Sequence, residues 1–440
     1  MSLRFFVAIM ATLFLASNVR AQAVDWHSPE VVALRALDQH PALSSLEAQI
    51  DAAGERTRVA GAYPNPMLMT GLQDKQIDLT SDEMMTMYMV GASQTIPRKS
   101  RRVALKRAAE LQVEQLRLGA RSLREEIRRD VLLTYYDLAA ADSQISTTEQ
   151  LAAAVDAIVA AARFRYEVGT TIQADVIRAQ LQRSDIEQQL LTLGGRRRVA
   201  ASRLLAQLGF PVTTEIPRLH LAPSTEVRTI EAAPSVPQDH PALATVTNEV
   251  AQREQDVRLA KLIAKPDWNL EASYGVRATQ KDMFSVVARV ELPIRKKSVI
   301  EPQIRAAIAE RDAATQRLDE VRRRLSEALG VAWAQHAEAT RQLLLNEQVL
   351  VPQSKLAFDS TLAAYQSGKD NFEAVLATET AWLRLQIDYY GFLSQHIKAI
   401  TDFEALQRGA RSGVSGGGSA ATGSPAAAAR SSASGMSSMR

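Results

Sequence analysis

The chain has no cysteine in its 440 residues. That excludes disulfide bonds, thiolate nucleophiles, thiolate metal sites and an acylated cysteine anchor. Histidine is scarce, with six copies, and no two of them share a metal-ligand spacing. There is no Gly-rich phosphate loop, no G-x-S-x-G and no H-E-x-x-H, so no recognisable motif places a catalytic group. An enzyme is therefore not expected, nor is a cofactor. Charge is nearly balanced, with 52 basic against 49 acidic residues. Such a chain has no electrostatic footprint for nucleic acid. The arginine clusters "RRRVAA" (196–201) and "RRRLSE" (322–327) read as solvated helix faces. Beyond the N-terminus no stretch reaches eighteen apolar residues, so no transmembrane helix is expected.

What is present begins with "MSLRFFVAIMATLFLASNVRAQA". Arg4, an apolar run from Phe5 to Ala16 and a closing Ala21-Gln22-Ala23 form a secretory signal (1–23), with cleavage expected after Ala23. Loss of Arg4 and Arg20 with it lowers the net charge from +3 to +1. At the other end, residues 409–440 are Gly, Ser and Ala-rich and cannot bury a core, which predicts a disordered tail.

Between these ends the chain repeats itself. "HPALSSLEAQIDAAGERTRVAGAYPNP" (40–66) matches "HPALATVTNEVAQREQDVRLAKLIAKP" (240–266). "SQTIPRKS" (93–100) pairs with "VELPIRKK" (290–297), and "VLLTYYDLAAA" (131–141) with "ALGVAWAQHAE" (328–338). The order is conserved between the halves. Two units follow, 24–208 and 240–408, joined by a Pro-rich connector at 209–239. His40 and His240 precede helix-starting prolines, where a local turn role is expected.

Each unit reads as a long helical hairpin. From Arg98 to Val168 there is no proline and one glycine, Gly119. Ile127, Val131, Tyr135 and Leu138 recur at helical spacing. Leu318, Val321, Leu325, Ala328 and Ala332 alternate steps of three and four, as in a coiled coil. Long helices are expected over about 98–165 and 299–363, each roughly 100 Å long at ~1.5 Å per residue. Return helices are expected at 171–208 and 371–408, with a shorter helix at 41–62. Pro352 predicts a kink or break in the second unit.

The hairpins turn at 166–171 and 365–370, each at a Tyr-x-x-Gly. Gly169 and Gly368 suit the left-handed position just past a helix end. Thr170 with Gln173, and Asp370 with Glu373, have capping-box spacing.

Each unit also holds two strand-like runs, about 66–74 and 84–96 in the first, 266–277 and 283–293 in the second. In "PDWNLEASYGVR", Trp268, Leu270, Ala272, Tyr274 and Val276 share one face, and Asp267, Asn269, Glu271 and Ser273 the other. Each run has about the nine to eleven residues of a tilted membrane strand. Four strands leave open edges, which hydrocarbon does not tolerate, so a membrane sheet of this kind must close by adding subunits.

The ordered set of "HPAL" starts, "YPNP", "SQTIP", "VELPI", "RYEVGTTIQADVIRAQ" and "VLVPQSKLAFDSTLAAYQSGKDNFEAVLATE" resembles the TolC-like outer-membrane efflux factors. The likeness covers nearly all of the mature chain. It implies a mainly α fold with a small β part. Long coiled-coil-like hairpins would form a periplasmic α-barrel tunnel, and four membrane strands per protomer would close a trimeric twelve-stranded β-barrel. It also implies a homotrimer in the outer membrane of a Gram-negative bacterium, in contact with outer-membrane lipid. A periplasmic adaptor and an inner-membrane transporter would complete a three-part pump. By motif position, adaptor contact falls on Tyr166, Gly169, Thr170, Tyr365 and Gly368. Gln173, Asp175, Asp370 and Glu373 are candidates for capping or gating.

The chain departs from drug-exporting relatives in one respect. Positions where they carry entrance aspartates hold Ala374 and Ala377, and Asp175 keeps an acid in the first unit alone. Aligning the strand faces places Met67, Met69, Met85, Met87 and Met89 on the lumen-like side. Thioethers favour Cu(I); the bland alternative is flexible filler. The reading is a passive outer-membrane efflux duct, for heavy-metal cations of the copper/silver or cobalt-zinc-cadmium type. Drug or organic-solute efflux and type I protein secretion remain alternatives within the channel class. A soluble periplasmic coiled-coil scaffold or adaptor is the alternative from another class.

Overall fold

The computed structural model describes residues 25–73, 87–221, 230, 234–277, 280–367 and 369–410. The signal segment, Met85, Gly368 and nearly all of the low-complexity tail lie outside the described residues.

Helices α1 (Pro29–Gln39) and α2 (Pro41–Ala60) lead to strands β1 (Met67–Gln73) and β2 (Met87–Ile96). Helix α3 (Lys99–Glu167) then runs 69 residues without interruption, about 100 Å. It turns into α4 (Gln173–Gln207). The second unit repeats the plan with α5 (Pro241–Leu262), β3 (Trp268–Arg277), β4 (Met283–Val290), α6 (Glu301–Leu345), α7 (Val351–Gln366) and α8 (Phe372–Arg408).

Helix α1 has no counterpart in the periodicity read above. Its Val32, Ala33 and Ala36 are wholly buried and join the largest apolar cluster. That cluster gathers Val131, Leu138, Leu204 and Leu208 around the middle of α3. Tyr135 Oη donates to the Trp26 carbonyl at 3.0 Å, which fixes the chain start to the same waist.

Both histidines before prolines act as N-caps. Nδ1 of His40 accepts from the Ala42 amide at 3.3 Å, and Nδ1 of His240 from the Ala242 amide at 3.1 Å. With Nδ1 of His240 accepting, its Nε2 carries the proton and reaches the Leu406 carbonyl at 2.8 Å. The cap thus also ties α5 to the end of α8.

Part of the connector lies along the waist as a strap. Asp142, with no exposed surface, takes Arg197 Nε at 2.5 Å on Oδ1 and the Leu219 amide at 3.0 Å on Oδ2. Arg197 Nη2 donates to the Ile216 carbonyl at 3.0 Å, and the Leu221 amide to Ser143 Oγ at 2.9 Å. One buried carboxylate and one guanidinium therefore satisfy backbone groups that no helix or sheet serves.

The second hairpin is not a straight rod. π-helical turns at Lys296–Ile300 and Asn346–Leu350 precede Pro302 and Pro352 by the same two-residue step. A proline ring clashes with the carbonyl four residues back, and a wider i→i+5 turn relieves that clash. The break expected at Pro352 is this π turn; the helix continues through it.

The four strands form one antiparallel sheet in the order β1-β2-β3-β4. The β2–β3 pairing joins the two units, with ten paired residues from Met87↔Arg277 to Ile96↔Trp268. Under the sheet, the Arg98 amide and Arg101 Nη1 bond to the Asp267 carboxylate at 3.0 and 2.5 Å. β1 and β4 have bare outer edges.

Candidate functional site

Two regions carry the candidate residues: the paired hairpin ends and the polar face of the sheet. At the first end, Gly169 has φ of +74°, a conformation that costs an L side chain about 1 kcal/mol or more. The Thr170 amide reaches back to the Arg165 carbonyl at 2.8 Å, closing a Schellman turn. Thr170 Oγ1 donates to the same carbonyl at 2.9 Å. The second end closes the same way, with the Lys369 amide on the Ala364 carbonyl at 2.9 Å.

The expected capping boxes do not form. Helix α4 starts after Ile172, which gives no side-chain cap, and Thr170 is spent on the preceding helix. Thr171 Oγ1 instead bonds to Asp175, so the hydroxyl and the acid sit one and two residues past the expected pair. In the second turn the cap is Asn371, whose Oδ1 accepts from the Ala374 amide at 2.8 Å. Asp370 bonds to the Asn371 amide at 2.8 Å. Both are Asx residues able to cap; the tight turn places the second one at the helix start.

Glu373 is thereby free of a capping role and pairs across the hairpins. Arg178 on α4 lies 3.4 Å from Glu373 and 3.6 Å from Asp175. Arg165 stacks over the Tyr365 ring at 4.4 Å, and Tyr365 lies 5.7 Å from Phe372, ring centre to ring centre. Beneath them Ala162, Ala179, Phe372 and Leu376 pack as a small core. The two ends are thus one coupled unit. Arg165, Arg178 and Phe372 do the coupling, and no local spacing marked them. Around the first end Phe164, Tyr166, Val168 and Ile172 are exposed. Ala377 is exposed and Ala374 half-buried, so no acid stands at either position.

On the sheet, the register sorts the two faces cleanly. Leu68, Leu72, Tyr88, Val90, Trp268, Leu270, Tyr274, Val276, Phe284 and Val286 share one face and are exposed in the single chain. Met67, Met69, Met87 and Met89 share the other with Asn269, Glu271, Ser273 and Arg289. Met283 joins them, opposite Gly275. It alternates with Ser285 on this face, a spacing visible in the sequence. Among the described residues no methionine pairs directly with another: Met67 faces Ser93, Met69 faces Gly91, and Met89 faces Gly71 and Gly275. The closest approach to a pair flanks Gly275. Met87 packs where a Cβ would be, and Arg277 Nη2 donates to Met283 Sδ at 2.6 Å. Glu271 and Arg289 form an ion pair at 2.5 Å on this face. Among the described residues no group of three His, Cys, Asp or Glu side chains is placed to hold a metal ion.

Two buried polar groups lie in the helical walls. Glu379 on α8 is 1% exposed, and its Oε2 has no hydrogen-bond partner. Burial alone pushes its carboxyl up to about 7. At the waist, Thr340 Oγ1 lies 3.1 Å from His396 Nδ1 and 3.4 Å from His336 Nε2, with both rings buried. Burial, and then His336, push His396 down to about 4.

Comparison with known proteins follows the same lines. Residues 32–210 match the family model described as outer membrane efflux protein. The cobalt-zinc-cadmium resistance protein CzcC of Cupriavidus metallidurans is 22% identical over 83% of this chain and 86% of its own length. The outer membrane protein VceC of Vibrio cholerae superposes with a TM-score of 0.72 at 16% identity, over 87% of this chain and 96% of that one. A membrane protein from Pseudomonas aeruginosa gives 0.75 at 19%, over 87% and 90%. CusC, described in terms of transmembrane channel formation, gives 0.75 at 12%, over 87% and 92%.

Proposed function

We propose that the chain is a TolC-like outer membrane efflux protein, on the match of residues 32–210 to the outer membrane efflux protein model and the fold it shares with CusC, and that it is the passive exit duct of a tripartite pump for heavy-metal cations. The observation that carries this reading is the two-faced sheet. An apolar face and two bare edges suit a sheet that meets lipid and closes with further copies. A homotrimer with twelve strands is the closure we infer. The helical hairpins then extend into the periplasm, and their coupled ends receive the adaptor at Tyr166, Gly169, Thr170, Tyr365 and Gly368. The exposed apolar residues around the first end support that assignment. An inner-membrane transporter supplies the energy, which a passive wall does not.

The metal assignment rests on the likeness to a cobalt-zinc-cadmium resistance protein over most of both chains. The soft face formed by Met67, Met69, Met87 and Met89, with Met85 next in the sequence alternation, favours a cation that exchanges thioether ligands, copper or silver first. A deletion strain tests both levels. It is expected to lose tolerance to cobalt, zinc, cadmium, copper or silver and to keep tolerance to dyes and antibiotics. The opposite pattern moves the reading to drug efflux. Replacing the five methionines with Leu lowers copper or silver tolerance; unchanged tolerance in a strain dependent on this channel removes the thioether part alone.

A further inference from the structure

The sheet has a strong charge asymmetry between its two ends. The segments between β1 and β2 (74–86) and between β3 and β4 (278–282) carry five acids and two lysines. At the foot, where β2 and β4 hand over to helix, the signs reverse. Residues 97–107 hold six basic side chains and no acid, and 293–300 hold three and no acid. β2–β3 pairing brings the two segments to one end of one sheet.

These cations are only partly consumed by the protein. Arg101 is committed to the Asp267 carboxylate, and the Arg98 guanidinium to the Pro266 carbonyl. Lys99, Lys265, Arg295, Lys296 and Lys297 are exposed, and Arg102 is held over the Tyr63 ring at 3.9 Å. Beside them stand exposed apolar side chains: Trp268 (48% exposed), Leu292 (69%) and Ile294 (85%). A band of aromatic and aliphatic groups with a row of cations just outside it is the pattern of a water–hydrocarbon boundary. Strands of eight to ten residues, tilted, span about 25 Å. The foot therefore meets one leaflet and cannot reach the other.

We propose that this basic collar, formed by Lys99, Lys265, Arg295, Lys296 and Lys297, binds the phosphate groups of anionic phospholipids in the periplasmic leaflet of the outer membrane. The proposal rests on the channel reading above, because that reading puts the foot at the periplasmic surface. The charge sets the sign of the partner, and the adjoining Trp268, Leu292 and Ile294 set its class, a phosphate that carries acyl chains.

The test uses the full protein purified in dodecyl maltoside. Phosphatidylglycerol, cardiolipin or phosphatidylcholine is added, and retained lipid is counted by native mass spectrometry. Wild type is expected to retain the two anionic lipids over phosphatidylcholine. Lys99→Gln/Arg295→Gln/Lys296→Gln/Lys297→Gln loses that preference, at roughly fivefold per charge removed. Arg198→Gln/Arg203→Gln/Arg323→Gln/Arg341→Gln removes the same charge from exposed helix positions and keeps the preference. Equal retention by wild type and the collar variant, or equal loss in both variants, overturns the proposal. Conductance in planar bilayers separates the two levels. A conducting wild type without lipid preference refutes the collar alone, and a non-conducting wild type refutes the channel beneath it.

Discussion

Replacing Glu379 with Gln should make the inner end of the second hairpin insensitive to pH. Glu379 sits between Leu376 and Leu383 on α8, which pack into separate apolar clusters along α3. No neighbouring charge contributes to its shift; burial is the sole cause, and it raises the carboxyl from 4.5 to about 7. The sign follows directly. A carboxyl with a raised folded value favours the fold when protonated, so its contribution is complete below about 4.5 and is lost as pH rises through about 7. The shift is worth at most about 3 kcal/mol, or a few hundredfold in a local opening constant. Hydrogen exchange of peptides spanning 372–390, corrected for intrinsic rates, reads that constant. Wild type should lose protection between pH 5 and pH 8, and Glu379→Gln should not. A difference between the two proteins that stays constant with pH would mean that the carboxyl is hydrated, and the reasoning would fail.

His396 has the opposite sign. Its contribution is present above about 6.5 and is lost as pH falls toward about 4, so peptides around Thr340 and His396 should lose protection in mild acid, and His396→Gln should flatten that response. Asp142→Ala should cost about 3 kcal/mol, because it strands the Arg197 guanidinium and the Leu219 amide together; released protection along 214–221 in hydrogen exchange is the local readout. Gly169→Ala should cost about 1 kcal/mol from backbone strain alone, since no atom lies within 4 Å of the added Cβ, and faster exchange at the first hairpin end measures it.

The long helices were legible because alternating steps of three and four persist for tens of residues, longer than any competing pattern. The strand faces were legible for a similar reason, a strict alternation of two. The hairpin ends were legible in outline through Gly169, where few other residues fit. What stayed hidden depends on contacts between distant segments. Glu373 looked like a capping residue by spacing, but its partner Arg178 lies on another hairpin. Glu379 looked like any helical glutamate until α3 covered it. Asp370 and Asn371 both suit a cap, and the tightness of the turn, invisible in composition, decided between them. Helix α1 escaped because eleven residues hold too few turns to display a period.

The number of strands has a further consequence. Because each copy contributes an even count, its first and last strands run in opposite directions. When β4 of one copy meets β1 of the next, the new seam is antiparallel, like every pairing inside the copy, and a ring of any size keeps a single uniform alternation. A two-fold pairing of β1 with β1 would also be antiparallel, but it would send the helices of the two copies to opposite sides of the bilayer. If copies close the proposed barrel, only head-to-tail joining keeps all hairpins in one compartment, and the parity of the sheet sets the direction of that assembly.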